Sequence, residues 1–261
     1  MLHELEQALQ QLRRTKPLVL CLSNYVTMDF IANTLLSLGA APIMSEDEHE
    51  LPELLSFCHA LYVNIGTLND TFLQRARVAI KHAQERKLPI ILDPVGAGAS
   101  TLRTTAAREF APQVQIIRGN ASEILALADA IYETLGVESS HQVSDAKNSA
   151  QQLATQHACV VVVSGEEDFI SDGRQERFLA YGSPLMPSVT GMGCSLTGVI
   201  AAFRGIINDS YAAAHLATAY FGLCGNLAAA KTDKPGSFRS IFLDEVYAAN
   251  FEAMKAFYHA A

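Results

Sequence analysis

Along this chain, short runs of apolar and β-branched residues alternate with longer stretches whose apolar positions recur every three or four residues. The runs fall at 18–22, 60–65, 89–93, 115–118 and 158–164, and the stretches at 29–38, 70–85, 101–110, 122–130 and 144–156. The first pattern predicts strands and the second helices. Strands and helices in alternation require crossover connections, so the chain is expected to build a three-layer α/β/α sandwich on a mainly parallel sheet. A small antiparallel part is expected at 168–171 and 176–181, joined through Asp172-Gly173, a dipeptide suited to a tight hairpin turn. Beyond it the pattern is mostly helical, with one run at 195–203 that follows a proline-bounded extended stretch at 183–189.

Two segments need separating from other readings. Residues 1–16 place Leu2, Leu5, Leu9 and Leu12 at helical spacing in a polar background, which is not the charged-then-apolar build of a secretory signal. Residues 211–230 are small and apolar, but His215, Gly222, Gly225 and Asn226 interrupt them, so a packed internal helix is expected rather than a membrane span.

With 261 residues, 49% hydrophobic and 18% charged, the chain can fill a sizeable core. Without a repeat or low-complexity linker to divide it, a single domain over 1–261 is the simplest organisation. The net charge of −8, with no concentrated Lys/Arg run, argues against a nucleic-acid or acidic-membrane partner, so any phosphate binding must be local. Cys21, Cys58, Cys159, Cys194 and Cys224 are odd in number, scattered and without C-x-x-C spacing. They suggest neither a disulfide framework nor a zinc site and fit a reducing, cytoplasmic compartment.

Ligands of such sheets collect at the carboxyl ends of the strands, so the residues leaving each strand are the candidates. Ser23-Asn24-Tyr25-Val26-Thr27, Pro42-Ile43-Met44 and Gly66-Thr67 offer amide, thioether and small groups that suit a neutral, partly apolar ligand. Asp93, before Pro94 and a glycine-containing turn, is expected to be held extended and aimed along its strand toward the ligand edge, or else is a plain turn aspartate. The segment Arg118-Gly119-Asn120-Ala121-Ser122-Glu123 carries a capping-box pattern between Asn120 and Glu123. Glu123 with Asp93 suits Mg²⁺ held through water, and Arg118 suits phosphate oxygens. Ser164, before Gly165-Glu166, offers a hydroxyl to a nucleotide, or simply ends its strand. Finally, Gly191 and Gly193 in Thr190-Gly191-Met192-Gly193-Cys194 stand where a helix begins, which is either a flexible turn feeding a buried helix or, through converging N–H groups and the helix dipole, a phosphate seat.

Taken in order, these segments resemble the hydroxyethylthiazole kinases of thiamine biosynthesis, within the ribokinase superfamily. The matching stretches are Asn24-Tyr25-Val26-Thr27-Met28-Asp29-Phe30, Ala41-Pro42-Ile43-Met44, Asn64-Ile65-Gly66-Thr67-Leu68, Asp93-Pro94-Val95-Gly96-Ala97-Gly98, 118–123 and 190–194. The resemblance implies transfer of the γ-phosphoryl group of ATP to the primary alcohol of 4-methyl-5-(2-hydroxyethyl)thiazole. It implies that Asn24, Met44, Gly66 and Gly191 contact the thiazole, that Arg118, Asn120 and Ser164 bind ATP, and that Asp93 and Glu123 govern Mg²⁺. Gly191, Gly193 and Cys194 would serve the transfer itself. A homotrimer with active sites at subunit borders is also implied.

Two departures bear on mechanism. Ser164 stands where the family usually has Thr, which keeps the hydroxyl. Cys194 stands where the wider superfamily has an Asp base. A helix N-terminus lowers a thiol pKa and adjacent phosphates raise it, so Cys194 is either a weak base or an orienting group. A loose phosphoryl-transfer transition state asks for little early deprotonation, so a slow enzyme is expected rather than an inactive one. The competing readings are a lyase that dehydrates a hydrated nicotinamide cofactor, and a non-catalytic nucleotide or thiazole sensor.

Overall fold

The structure, a computed structural model, describes residues 1–128 and 143–258. Its strands are β1 Leu18–Leu22, β2 Ala41–Ile43, β3 Ala60–Asn64, β4 Ile90–Asp93, β5 Ile116–Asn120, β6 Val160–Ser164, β7 Asp168–Ser171 and β8 Glu176–Leu179. Helices α1 Leu2–Thr15, α2 Met28–Leu38, α3 Leu51–Leu54, α4 Asp70–Glu85, α5 Thr101–Phe110, α6 Ala121–Ala128 and α7 Val143–His157 lie among the first six strands. Helices α8 Met192–Arg204, α9 Ser210–Ala229, α10 Pro235–Ala248 and α11 Phe251–Met254 close the chain.

The strands form one sheet in the order β2-β1-β3-β4-β5-β6-β7-β8. Pairing is parallel through β6 and antiparallel for β6–β7 and β7–β8. Successive strand residues face opposite sides, and the two cores divide accordingly. Val19, Cys21, Tyr62, Ile91, Ile116 and Val162 pack with α1, α2, α8, α9 and α10. Leu20, Leu22, Val63, Leu92, Ile117 and Val161 pack with α3 to α7. This is the three-layer α/β/α sandwich the alternation implies.

That parity positions the chemistry. Asn64, Asp93, Arg118 and Ser164 continue the phase of Tyr62, Ile91, Ile116 and Val162, so they extend toward the layer that holds α8. The chain leaves β1 for β2 on one side and returns to place β3 on the other. The sheet therefore has its switch point between β1 and β3, where a crevice opens at the strand ends.

Several boundaries differ from the sequence reading. Strand β5 runs on through Gly119 and Asn120, which pair with Val163 and Ser164, so Arg118 lies within the strand. Residues 183–189 are not extended: they fold into a turn and a 3₁₀ helix, Met186–Ser188, with Met186 N–H donating to Ser183 O at 3.0 Å. Proline's fixed φ suits the first positions of a helical turn as well as an extended chain, and Pro187 takes that place. Helix α8 accordingly starts at Met192, so Gly193 and Cys194 form its first turn. The β7–β8 connection is a four-residue loop rather than a tight turn, because Asp172 Oδ1 accepts from both Arg174 N–H (2.8 Å) and Gln175 N–H (2.6 Å). Strand β8 stops at Leu179, and Asn226 of α9 holds Gly182 by two hydrogen bonds at 3.1 and 2.7 Å. The last two residues of the helix expected at 122–130 lie outside the described residues.

Among the described residues no helix is long and apolar enough to cross a membrane. All five cysteines are free. Within α9, burial pushes His215 down to about 4, so its ring is neutral, and Nε2 has no hydrogen-bond partner.

Candidate active site

Gly191 sets the geometry of the α8 terminus. It caps the helix at φ 94°, a left-handed conformation that favours glycine. A Cβ there would meet Thr27 Cβ at 3.2 Å and Phe30 Cδ1 at 3.3 Å. The helix then begins with Ser195 N–H donating to Gly191 O at 2.8 Å. By helix geometry the amides of Gly193 and Cys194 have no intrahelical acceptor and point out of the terminus.

Against that terminus lies Arg118. A Cβ on Gly193 would fall 2.5 Å from Arg118 Nη1, so the guanidinium rests directly on the glycine. Arg118 is 8% exposed, its Nη2 donates to Ser164 Oγ, and its Nε is buried without a partner. Asp93 Oδ1 is 3.8 Å from Nη1. A buried cation beside the positive end of a helix is unfavourable alone, and the arrangement is a strong anion site.

Three carboxyls surround this cation. Burial pushes Asp93 above the usual carboxylate range, while Arg118 and three donors on Oδ2 pull it back. Those donors are Thr197 Oγ1 (2.9 Å), Asn64 Nδ2 (3.0 Å) and Tyr62 Oη (3.1 Å), the last sharing its one O–H with Cys194 O at 2.9 Å. Glu123 reaches over the sheet end from α6, with Oε1 accepting from Gly96 N–H and Oε2 from Asn120 N–H, both at 2.8 Å. Asn120 Oδ1 in turn caps Glu123 N–H at 2.9 Å, which completes the capping box. Burial, then the charge of Asp93, raise Glu123 to about 7. Asp168, whose Oδ1 accepts from Gly165 N–H at 3.0 Å, is raised to about 7 by burial.

Toward the switch point the groups turn neutral. Asn24 Nδ2 donates to Asn64 Oδ1 at 2.9 Å and lies 3.6 Å from Cys194 Sγ. Gly66 is packed under Asn24, which a Cβ would approach to 3.0 Å. Burial, then Asp93, push the Cys194 thiol up to about 11, so it is protonated at neutral pH and the lowering expected of a helix N-terminus is outweighed. Met44 follows β2, half-buried against the α8 side of the sheet. The arrangement joins an anion seat, an acidic flank and a neutral crevice, the parts that phosphoryl transfer to an uncharged alcohol requires.

A model of the hydroxyethylthiazole kinase family matches residues 9–252. The chain belongs to the hydroxyethylthiazole kinase family. It is 47% identical over 261 residues to a hydroxyethylthiazole kinase of Chlamydia felis, covering 99% of this chain and 100% of that one. The solved hydroxyethylthiazole kinase of Pyrococcus horikoshii superposes with a TM-score of 0.89 at 33% identity, covering 97% of this chain and 96% of the other. A ribokinase-like protein of Enterococcus faecalis shares the fold at 16% identity and a TM-score of 0.63, covering 89% and 87%.

Within this family member, Asn24, Gly66, Asp93, Arg118, Asn120, Glu123, Ser164, Gly191, Gly193 and Cys194 are linked by contacts around the α8 terminus. Met44 shares the sheet edge without a described contact to that group. No role for Tyr62, Asn64, Thr197 or Asp168 is expected from the sequence, although Asn64 lies in one of the matching stretches. Three of these carried a signal: Tyr62 and Asn64 share a face two residues apart, and Thr197 follows Gly193 by one helical turn, where its hydroxyl, while donating to Asp93 Oδ2, also lies 3.3 Å from Gly193 O.

Proposed function

We propose that this protein transfers the γ-phosphoryl group of ATP to the primary alcohol of 4-methyl-5-(2-hydroxyethyl)thiazole, yielding the thiazole phosphate for thiamine synthesis or salvage. Family membership supports the reaction. The observation that carries the location is the buried Arg118 guanidinium seated on Gly193 at the α8 terminus. In this reading Arg118, with the amides of Gly193 and Cys194, stabilises the transferring phosphoryl group, while Ser164 and Asn120 border ATP. Asn24, Met44, Gly66 and Gly191 line the pocket for the thiazole.

Asp93 and Glu123 fit a Mg²⁺ ion that accompanies the nucleotide. Asp93 Oδ1 is buried without a hydrogen-bond partner, the kind of atom a cation or its water satisfies. Both Glu123 oxygens already accept backbone N–H groups, so Glu123 suits contact through water. When bound, Mg²⁺ neutralises phosphate charge. Cys194, as a neutral thiol, orients the acceptor hydroxyl rather than removing its proton. A loose transition state tolerates that, since positioning and charge stabilisation carry most of the acceleration.

The same reading makes 1–261 one kinase domain working in the cytoplasm as a homotrimer with active sites at subunit borders. Tyr25 and Val26, 58% and 70% exposed beside Asn24, support it as apolar surface that a second copy would cover. The test is to incubate the chain with ATP, Mg²⁺ and the thiazole alcohol: ADP and the phosphate ester should appear together. ADP with free phosphate, formed only when a hydrated nicotinamide cofactor is supplied, would favour the lyase reading; binding without turnover would favour the sensor.

A further inference from the structure

Asn64 ends β3 with its side chain wholly buried, and every hydrogen-bonding position on it is used. Its Nδ2 donates to Tyr62 Oη at 2.9 Å and to Asp93 Oδ2 at 3.0 Å. Its Oδ1 accepts from Asn24 Nδ2 at 2.9 Å and from Gly66 N–H at 3.0 Å. The amide has one workable orientation, because a flip would set its N–H against the Gly66 N–H and its carbonyl against a carboxylate. Beyond Asn24 the chain of bonds continues to the backbone, where Thr27 N–H donates to Asn24 Oδ1 at 3.0 Å.

The two Asp93 oxygens consequently have different surroundings. Oδ2 takes donors from Asn64 and Thr197 and lies 3.1 Å from Tyr62 Oη, whose single O–H is shared with the nearer Cys194 O at 2.9 Å. Oδ1 is buried with no hydrogen-bond partner and faces Arg118 Nη1 at 3.8 Å. We infer that Asn64 is a positioning residue: with Thr197 and Tyr62 it holds Asp93 by one oxygen so that the other is presented toward the transferring phosphoryl group, in register with Asn24 on the acceptor side. The inference rests on the role given to Asp93 under the proposed function.

Three substitutions test it in the full-length protein. Asn64→Asp keeps the acceptor for Asn24 and Gly66 and replaces the amide donor to Asp93 and Tyr62 by a carboxyl, which repels Asp93 or shares a proton with it and so shifts it. Thr197→Val and Tyr62→Phe each remove one O–H at nearly constant shape. Steady-state kinetics with ATP, Mg²⁺ and the thiazole alcohol are paired with calorimetric binding of the alcohol alone. Misplacement of a catalytic group by about 1 Å costs about 100-fold, so kcat should fall about 100-fold in Asn64→Asp and about tenfold in each of the others. The KM and Kd for the alcohol should stay within about threefold, a split that a merely structural role would not produce. If Asn64→Asp does not fold, Thr197→Val and Tyr62→Phe decide the matter. Folded variants with kcat near the wild-type value, or with losses matched by weaker alcohol binding, overturn the inference while the proposed function stands. A wild-type chain that forms no ester overturns both.

Discussion

A Cβ on Gly193 would lie 2.5 Å from Nη1 of Arg118 and 2.7 Å from Nη2. The absent side chain at the start of α8 is what lets a cation from β5 reach the helix terminus. Gly193→Ala should separate stability from function. Alanine favours a helix by up to about 1 kcal/mol, and the opposing atoms are the far end of a flexible side chain, so the thermal midpoint should hold or rise. Displacing the guanidinium should lower kcat/KM for ATP by roughly 10- to 100-fold, as loss of a charge-stabilising donor does. Melting curves and steady-state kinetics on the same preparation check both halves.

Gly191→Ala should behave differently. At φ 94° an alanine is strained by about 1–2 kcal/mol before its Cβ meets Thr27 at 3.2 Å. Turnover and thermal midpoint should fall together, and Gly191→Val should be worse on both counts. The contacts with Thr27 and Phe30, added to the strained φ, place part of that loss in the fold as well as in the chemistry.

A thiol held at about 11 is a poor proton acceptor at neutral pH. General-base help is typically worth about 10²–10⁴-fold, so Cys194→Ser should lose less than about tenfold in kcat. Cys194→Asp should keep or raise the rate if the side chain stands at the acceptor oxygen. A loss beyond about 100-fold in a folded Cys194→Ser would make the sulfur the base.

Burial also gives the stability a pH signature. Asp168 has a folded pKa of about 7 against an ordinary value of 3.8, so between those pH values the folded state keeps a proton that the unfolded chain has released. Its contribution is fully present below the unfolded value and is lost as pH rises toward 7, by at most about 4 kcal/mol at about 1.4 per pH unit. Glu123 acts in the same direction. The protein should therefore melt at a lower temperature at pH 8 than at pH 5. Asp168→Asn, which keeps an acceptor for Gly165 N–H, should narrow that gap; an unchanged gap would contradict the assignment.

What the sequence disclosed follows from which forces are local. The strands at 18–22 and 168–171 and most helices are written in residue spacing, and parallel order then brings the strand exits to one edge. The capping box of Asn120 and Glu123 is legible because both partners lie within one helical turn. The union of Arg118 with Gly193 is not, since it depends on how α8 packs over β5. The partnership of Asn64 stayed hidden for a related reason: the sequence places it within the strand expected at 60–65, and only the neighbouring strand reveals Asp93 beside it. The misreading of 183–189 comes from proline, whose φ is shared by helical turns and extended chain.

The most direct test is a structure of the protein with the thiazole alcohol and a non-hydrolysable ATP analogue. The γ-phosphate oxygens should lie within hydrogen-bond distance of the Arg118 guanidinium and the Gly193 and Cys194 amides, with the alcohol oxygen between them and Asn24. A γ-phosphate bound away from the α8 terminus, with Arg118 still resting on Gly193, would contradict the account.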